Sequence, residues 1–298
     1  MNMLDHRLCL LVSRRCNIRC GFCPVEFTGE DMSLGVARKA VKKYLQNLPA
    51  ETHPKVKFFG GEPFLNWPVI KAIVDEARAE KTKISFQVST NGMFLDQEKL
   101  SYLKVRPELE VTLSFRAQEG WSLPGVWFTF VLTQNQSAES VVEKMKFLIS
   151  EGYRQFNFLP AYFSHWSEEN LGELEKTFQA LLQIFKGAWD RGLELKIKNS
   201  EVFSPIPLYN AALTVDSDGT VYSSSLIESR GMDALRPFLR IGSIEDWPKE
   251  KDARRDGRFL REILKRWAGE TWNSTCRVDE LLTRFVNNIG VCSNEVLA

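Results

Sequence analysis

Three cysteines, Cys16, Cys20 and Cys23, stand at spacing C-x3-C-x2-C in the stretch Cys16-Asn17-Ile18-Arg19-Cys20-Gly21-Phe22-Cys23-Pro24. Thiolates are the ligands of iron–sulfur clusters, and a cubane cluster normally takes four of them. Only three are offered here within reach of one another. Such a set leaves one iron open, and an open metal position is where a substrate or cofactor binds. The alternative for the same residues is a zinc knuckle. Zinc motifs pair C-x2-C with a second Cys or His pair, whereas the next histidine downstream is His53 and the other cysteines lie far away in the chain.

A second chemical stretch, Gly60-Gly61-Glu62-Pro63, follows the apolar run Val56 to Phe59 directly. Paired glycines let backbone approach a ligand with no Cβ in the way; taken alone they also fit a tight strand-to-helix turn. A third, Ser89-Thr90-Asn91-Gly92, ends the run Ile84 to Val88. Its hydroxyl and amide groups suit a ribose or a carboxylate, or the stretch is an Asn-Gly turn.

With both motifs in order, the chain resembles the radical S-adenosylmethionine (radical SAM) enzymes, whose signature is C-x3-C-x-aromatic-C; Cys16, Cys20, Phe22 and Cys23 match it, aromatic included. The resemblance implies that Cys16, Cys20 and Cys23 hold a [4Fe–4S] cluster and that SAM chelates the fourth iron. One electron then splits SAM to methionine and a 5′-deoxyadenosyl radical, which takes a hydrogen atom from substrate. It implies further that Phe22 packs near the adenine. The Gly60-Gly61-Glu62-Pro63 segment receives the SAM amino group through its backbone and Glu62, and Ser89 or Asn91 touches ribose or carboxylate. Ser114 and Arg116 fall where many relatives carry polar SAM or substrate contacts. An aspartate is common there, so Arg116 either pairs with the SAM carboxylate or is an ordinary surface arginine. A flavodoxin or ferredoxin is the expected electron donor.

Composition excludes several classes. The chain has 298 residues, 44% hydrophobic and 26% charged, with a formal net charge of +1. That balance gives no reason to expect a nucleic-acid or membrane partner. No apolar run approaches the roughly 20 residues of a membrane helix, and the N-terminus shows no signal-peptide pattern. Six cysteines, three of them on one loop, suit metal binding in a reducing cytoplasm rather than a disulfide framework.

The elements that must position these groups alternate between strand-like and helix-like runs, the signature of a parallel α/β sheet. Strands are expected at Leu8–Val12, Val56–Phe59, Ile84–Val88, Leu109–Phe115, Val126–Leu132 and Phe156–Leu159. Helices are expected at 34–48 with Ser33 as N-cap, at 67–79, at 97–103, from the N-cap Ser137 to about 150, and at 168–189. The link Arg116–Gly125 is too short and too rich in glycine for a crossover helix. Strands five and six line the adenosine pocket or are plain core. The expected fold is a partial (β/α)6 barrel over residues 1–190 with a small α+β extension over 191–298. No leader-binding domain is expected before the barrel, since strand one begins near Leu8.

In the extension, Asp216-Ser217-Asp218-Gly219 between two strand-like runs predicts a hairpin. Together with Ile241-Gly242-Ser243-Ile244 it resembles the twitch/SPASM extension of radical SAM maturases, but Ser223, Ser224 and Ser225 stand where a cluster cysteine belongs. The auxiliary cluster is therefore expected to be lost while its fold is kept. Two helices close the chain, at about 258–268 and 278–288, and the charges of Lys249–Arg266 read as a solvated face. Cys276 and Cys292 are either buried small hydrophobes or, for Cys292 on a tail over the barrel mouth, a hydrogen donor to a substrate radical. The expected substrate is a ribosomal peptide or a protein side chain. The alternatives are a small-molecule substrate and a non-catalytic iron–sulfur or SAM-binding partner protein.

Overall fold

The computed structural model describes residues 7–296 except 50, 119, 199–211, 250, 251, 253 and 255, and of residues 291–296 it describes the backbone alone. In chain order the elements are β1 (Leu8–Ser13), α1 (Leu34–Gln46), β2 (Lys55–Gly60), α2 (Trp67–Ala79), β3 (Ser85–Thr90), α3 (Gln97–Lys104) and β4 (Leu109–Leu113). There follow β5 (Val126–Leu132), α4 (Ala138–Ser150), β6 (Gln155–Pro160), α5 (Glu168–Trp189), β7 (Lys196–Ile197), β8 (Leu213–Val215) and β9 (Thr220–Tyr222). The last are α6 (Arg236–Leu239), β10 (Arg240–Ser243), α7 (Gly257–Ala268) and α8 (Trp272–Val296). They form two compact units: residues 1–112 with 209–267, and residues 113–208 with 268–298.

In the first unit the strands run β10-β9-β8-β1-β2-β3-β4. β1 pairs in parallel with both β2 and β8, and β2 with β3. All six residues of β1 are buried, which is why it reads as an unbroken apolar run. β2 and β3 alternate, turning Val56 and Phe58, and Phe86 and Val88, inward. The Phe58 and Phe86 rings stack at 5.7 Å. Ser33 caps α1 by accepting from the Val36 amide. Asp96 caps α3 by accepting from Lys99, and Pro68 sits in the first turn of α2.

The expected hairpin is present: β8 and β9 pair antiparallel, Gly219 takes a positive φ of 86°, and β10 pairs antiparallel with β9. β8 itself joins β1 in parallel, so the hairpin extends the first unit's sheet.

The second unit has β5, β6 and β7 in parallel, with a core of Phe130, Phe158, Phe178, Phe185 and Phe285 rings. Ser167 caps α5 with a reciprocal capping box through Asn170. Among the described residues between β4 and β5 there is no helix, as the short link predicts. Two features differ from expectation. β7 was not visible in the sequence, because two residues carry no periodic signal. The final helix starts at Trp272 and runs to Val296, so Cys292 stands within helical backbone rather than on a tail. Its side chain lies outside the described residues.

Candidate active site

The cysteine loop leaves β1 and is closed at its root. The Arg14 amide donates to Glu30 O at 2.7 Å and Met32 N to Val12 O at 3.0 Å. Ser13 Oγ donates to Asp31 Oδ1 at 2.7 Å. Asn66 Nδ2 seals the same root by donating to Val12 O at 2.7 Å and Met32 O at 2.9 Å. Within the loop, Cys23 N donates to Cys20 O at 3.0 Å, closing a tight turn between these two cysteines. Arg19 Nη1 donates to Cys16 O at 2.7 Å, and its guanidinium lies 4.3 Å over the Phe27 ring. Phe22 is 38% exposed, a large aromatic left uncovered.

None of the three cysteines is in a disulfide, and each is half-buried. Burial pushes the Cys20 thiol up, and repulsion from Cys23 and Cys16 adds to it. Burial also raises the Cys23 thiol, opposed by a backbone hydrogen bond from Val25 and by the Arg230 charge. Among the described residues no three His, Cys, Asp or Glu side chains form a ready-made metal cage. The fit to a cluster rests instead on the donor set. Three thiolates on one partly exposed loop repel one another, and bound iron converts that repulsion into ligation.

The structure joins the second motif to this loop backbone to backbone. Gly61 N donates to Ser13 O at 2.8 Å, and Glu62 N to Arg15 O at 2.7 Å. Gly60 holds φ at +132°, and a Cβ there would meet Ser13 O at 2.1 Å; a Cβ on Gly61 would meet Arg15 O at 2.3 Å. Both glycines are thus required by close approach to the cysteine loop's own backbone, a constraint independent of any ligand. Gly61→Ala is expected to cost at least about 3 kcal/mol, since backbone cannot give way as a side chain can. A urea titration checks this, with the midpoint falling and the slope unchanged.

Pro63 opens a short 3-10 turn after Glu62 and is buried. Glu62 itself has no exposed surface. Its Oε1 accepts from the Phe64 amide at 3.0 Å and from Thr90 Oγ1 at 2.6 Å, and its Oε2 from the Asn91 amide at 2.8 Å. Burial raises its pKa, and these three donors pull it back. The carboxylate is thus a bracket between the Gly-Gly turn and the end of β3.

Asn91 completes the cluster of motifs. Its Nδ2 donates to Asn17 Oδ1 at 2.8 Å and lies 4.0 Å from Cys16 Sγ, while its Oδ1 accepts from the Met93 amide. Ser89 is half-buried near the end of β3. Cys16, Cys20, Cys23, Phe22, Gly60, Gly61, Glu62, Pro63, Ser89 and Asn91 all belong to the first unit. Ser114, Arg116, Cys276 and Cys292 belong to the second. There Ser114 is half-buried, and the Arg116 guanidinium is exposed and lies 5.8 Å over the Trp121 ring.

Sequence reasoning missed Thr90, Asn17, Asn66 and the residues around Glu228. Thr90 had a signal: alternation from Phe86 and Val88 turns it inward. The others had none, because their partners are distant in the chain.

A buried charge group lies beside this site. Arg14 Nη1 pairs with Asp216 Oδ2 at 3.2 Å, both buried. Glu228 is 1% exposed, and neither carboxylate oxygen has a partner. Burial, opposed by the Arg14 charge, pushes its pKa up to about 8. Its folded value lies above the unfolded one. Its contribution to stability is therefore fully present below pH 4.5 and lost as the pH rises through about 8. Glu228→Gln is expected to flatten the alkaline fall in stability and to exceed the parent by up to about 4 kcal/mol at pH 9. Urea unfolding at pH 6 and pH 9 reads the difference.

Residues 10–120 match the description Radical SAM superfamily. That stretch, which holds the three cysteines and the Gly-Gly turn, is similar to a radical SAM domain. An uncharacterized protein of Methanocaldococcus jannaschii is 31% identical over 110 residues, 35% of this chain and 37% of that protein. The radical SAM cyclopropyl synthase TigE of Paramaledivibacter caminithermalis is 27% identical over 128 residues, 36% of this chain and 26% of that one. The chain therefore matches well under half the length of either curated relative. Among solved structures, native anSMEcpe with bound AdoMet and Cp18Cys peptide superposes with a TM-score of 0.72 at 17% identity, covering 97% of this chain and 99% of that one. Streptococcus suis SuiB bound to S-adenosylmethionine gives 0.56 at 14% identity, covering 90% and 64%. At these identities the likeness is one of fold. That fold is mixed α/β with a mostly parallel sheet, as the strand and helix pattern predicts.

Proposed function

We propose that the protein is a radical SAM enzyme acting on a ribosomally made peptide or a protein side chain. The observation that carries it is the backbone union of the three-thiol loop with the Gly-Gly turn, Gly61 N to Ser13 O and Glu62 N to Arg15 O. Cys16, Cys20 and Cys23 hold the [4Fe–4S] cluster. When bound, cluster and SAM together supply a one-electron reductive cleavage and hydrogen-atom abstraction from substrate. The backbone of Gly60–Glu62, fixed by the inward Glu62 carboxylate, receives the SAM amino group. Phe22 offers its exposed ring to the adenine. Asn91, tied to Asn17 beside Cys16, orients the ribose or carboxylate end, as does Ser89 two residues earlier on β3. Ser114 and Arg116 add polar contacts to SAM or substrate. Cys292 is a hydrogen donor in this scheme, and a flavodoxin or ferredoxin supplies the electron.

Residues 191–298 are the counterpart of a twitch/SPASM extension without its auxiliary cluster. Ser223, Ser224 and Ser225 are buried there, and a serine hydroxyl does not replace a thiolate on iron. The peptide substrate is supported by the fold shared with anSMEcpe, solved with a bound peptide. It is supported too by SuiB, solved with the precursor peptide SuiA (TM-score 0.55, 14% identity, covering 76% of this chain and 60% of that one). Among the described residues no helix is long and apolar enough to cross a membrane.

The test is anaerobic reconstitution, dithionite reduction and an assay for 5′-deoxyadenosine. Product is expected with SAM alone and should rise when the right peptide is added. No product under any reducing condition would make the chain a non-catalytic SAM-binding partner, and stimulation by a metabolite but no peptide would move the substrate to small molecules.

A further inference from the structure

The far limb of the cysteine loop is held by a segment some 200 residues away in the chain and in the same compact unit. Glu26 N donates to Glu228 O at 2.6 Å, and Arg230 N donates to Pro24 O at 2.8 Å. Val25 and Ser229 form an antiparallel bridge between these two bonds. The Arg230 side chain reaches further along the loop, where Nη2 donates to the carbonyl of Cys23 itself at 2.7 Å.

This strap is itself anchored. The Trp267 indole donates to Arg230 O at 3.0 Å, Arg236 Nε donates to Ile227 O at 2.9 Å, and Arg236 pairs with Glu26 at 3.1 Å. At the near limb, the buried Arg14–Asp216 pair ties the start of the loop to the end of β8. The serine-bearing hairpin region thus grips the cysteine loop at both ends.

From this geometry we propose that Arg230 is a positioning residue for the cluster, resting on the radical SAM reading: it fixes the Cys23 backbone and sets its positive charge beside that ligand. A cation near a cluster favours the reduced, more negative state. One guanidinium N–H meets the Cys23 carbonyl while the Arg230 backbone amide bonds Pro24 O. The strap leaves the thiols free and works on the loop that carries them.

The experiment compares the parent with Arg230→Met, Arg230→Gln and Arg230→Lys, all reconstituted anaerobically. Iron per chain and the EPR-monitored reduction potential are read without substrate. Arg230→Met is expected to keep most of its iron but to show a reduced-to-oxidised ratio about fourfold lower at a fixed potential, a modest shift because the guanidinium is exposed and screened. Arg230→Lys, which keeps the charge, should recover most of the shift. Where Arg230→Met fails to fold by circular dichroism, Arg230→Gln gives the same comparison. An unchanged potential in Met and Gln, or a lysine variant as displaced as methionine, overturns the proposal. A parent chain that binds no iron sinks the radical SAM reading and this proposal with it, and that failure is seen in the parent before any variant is made.

Discussion

Cys20→Ala is expected to leave a folded chain that binds little iron and forms no detectable 5′-deoxyadenosine. The parent should hold about four irons per chain, the content of one cubane. Cys20 sits in the middle of the three-thiol set, in the turn closed by the Cys23 amide on its carbonyl. Alanine keeps that backbone bond, so the loop should survive while its donor set falls to two thiolates. Two sulfurs cannot retain a cubane that already lacks a fourth protein ligand. The apo variant should unfold close to the parent in urea, because the Cys20 side chain is only half-buried. Iron analysis, the visible spectrum and the nucleoside assay report together. About eight irons in the parent would overturn the inference that Ser223 to Ser225 mark a lost second cluster.

Glu62→Ala acts on stability first. It strips the acceptor from the Phe64 amide, the Asn91 amide and Thr90 Oγ1 at once. Thr90 can turn to another acceptor, but two buried amides cannot, and each orphan costs about 1–3 kcal/mol. With the cavity added, the loss should reach about 4 kcal/mol. Glu62→Gln keeps one acceptor oxygen but puts an NH2 opposite a donor, so its cost should fall between alanine and the parent. Burial raises the Glu62 pKa. Stability linked to its protonated form is therefore present at low pH and lost as the pH climbs through the raised value, and glutamine should look least harmful in alkali. Because the carboxylate faces inward, SAM binding and stability should fall in step across Ala and Gln. A glutamine variant as stable as the parent that no longer binds SAM would instead make Glu62 a direct ligand. Isothermal titration and urea unfolding on the same samples separate the two.

Much of the architecture was legible beforehand. β1 announced itself as a buried apolar run, Ser33 and Ser137 as caps, and Asp216-Ser217-Asp218-Gly219 as a hairpin turn, because each signal is local and each outcome is local too. That the described residues between β4 and β5 hold no helix followed from the length of the link. The end of α8 did not, since no proline near Gly290 forces a stop before Val296. Nor could periodicity find the partners of Glu62, Arg14 or Cys23, which lie one strand or some 200 residues away.

Spacing alone determined that three thiols share one loop and that two glycines stand at the end of β2, because covalent distance bounds where such groups can go. Folding decided what those groups face. It turned Glu62 inward onto Thr90 and Asn91, pressed Gly60 and Gly61 against Ser13 and Arg15, and laid Arg230 on the carbonyl of Cys23. Such pairings depend on which buried donors and acceptors find each other once strands align, and a linear pattern carries no record of that.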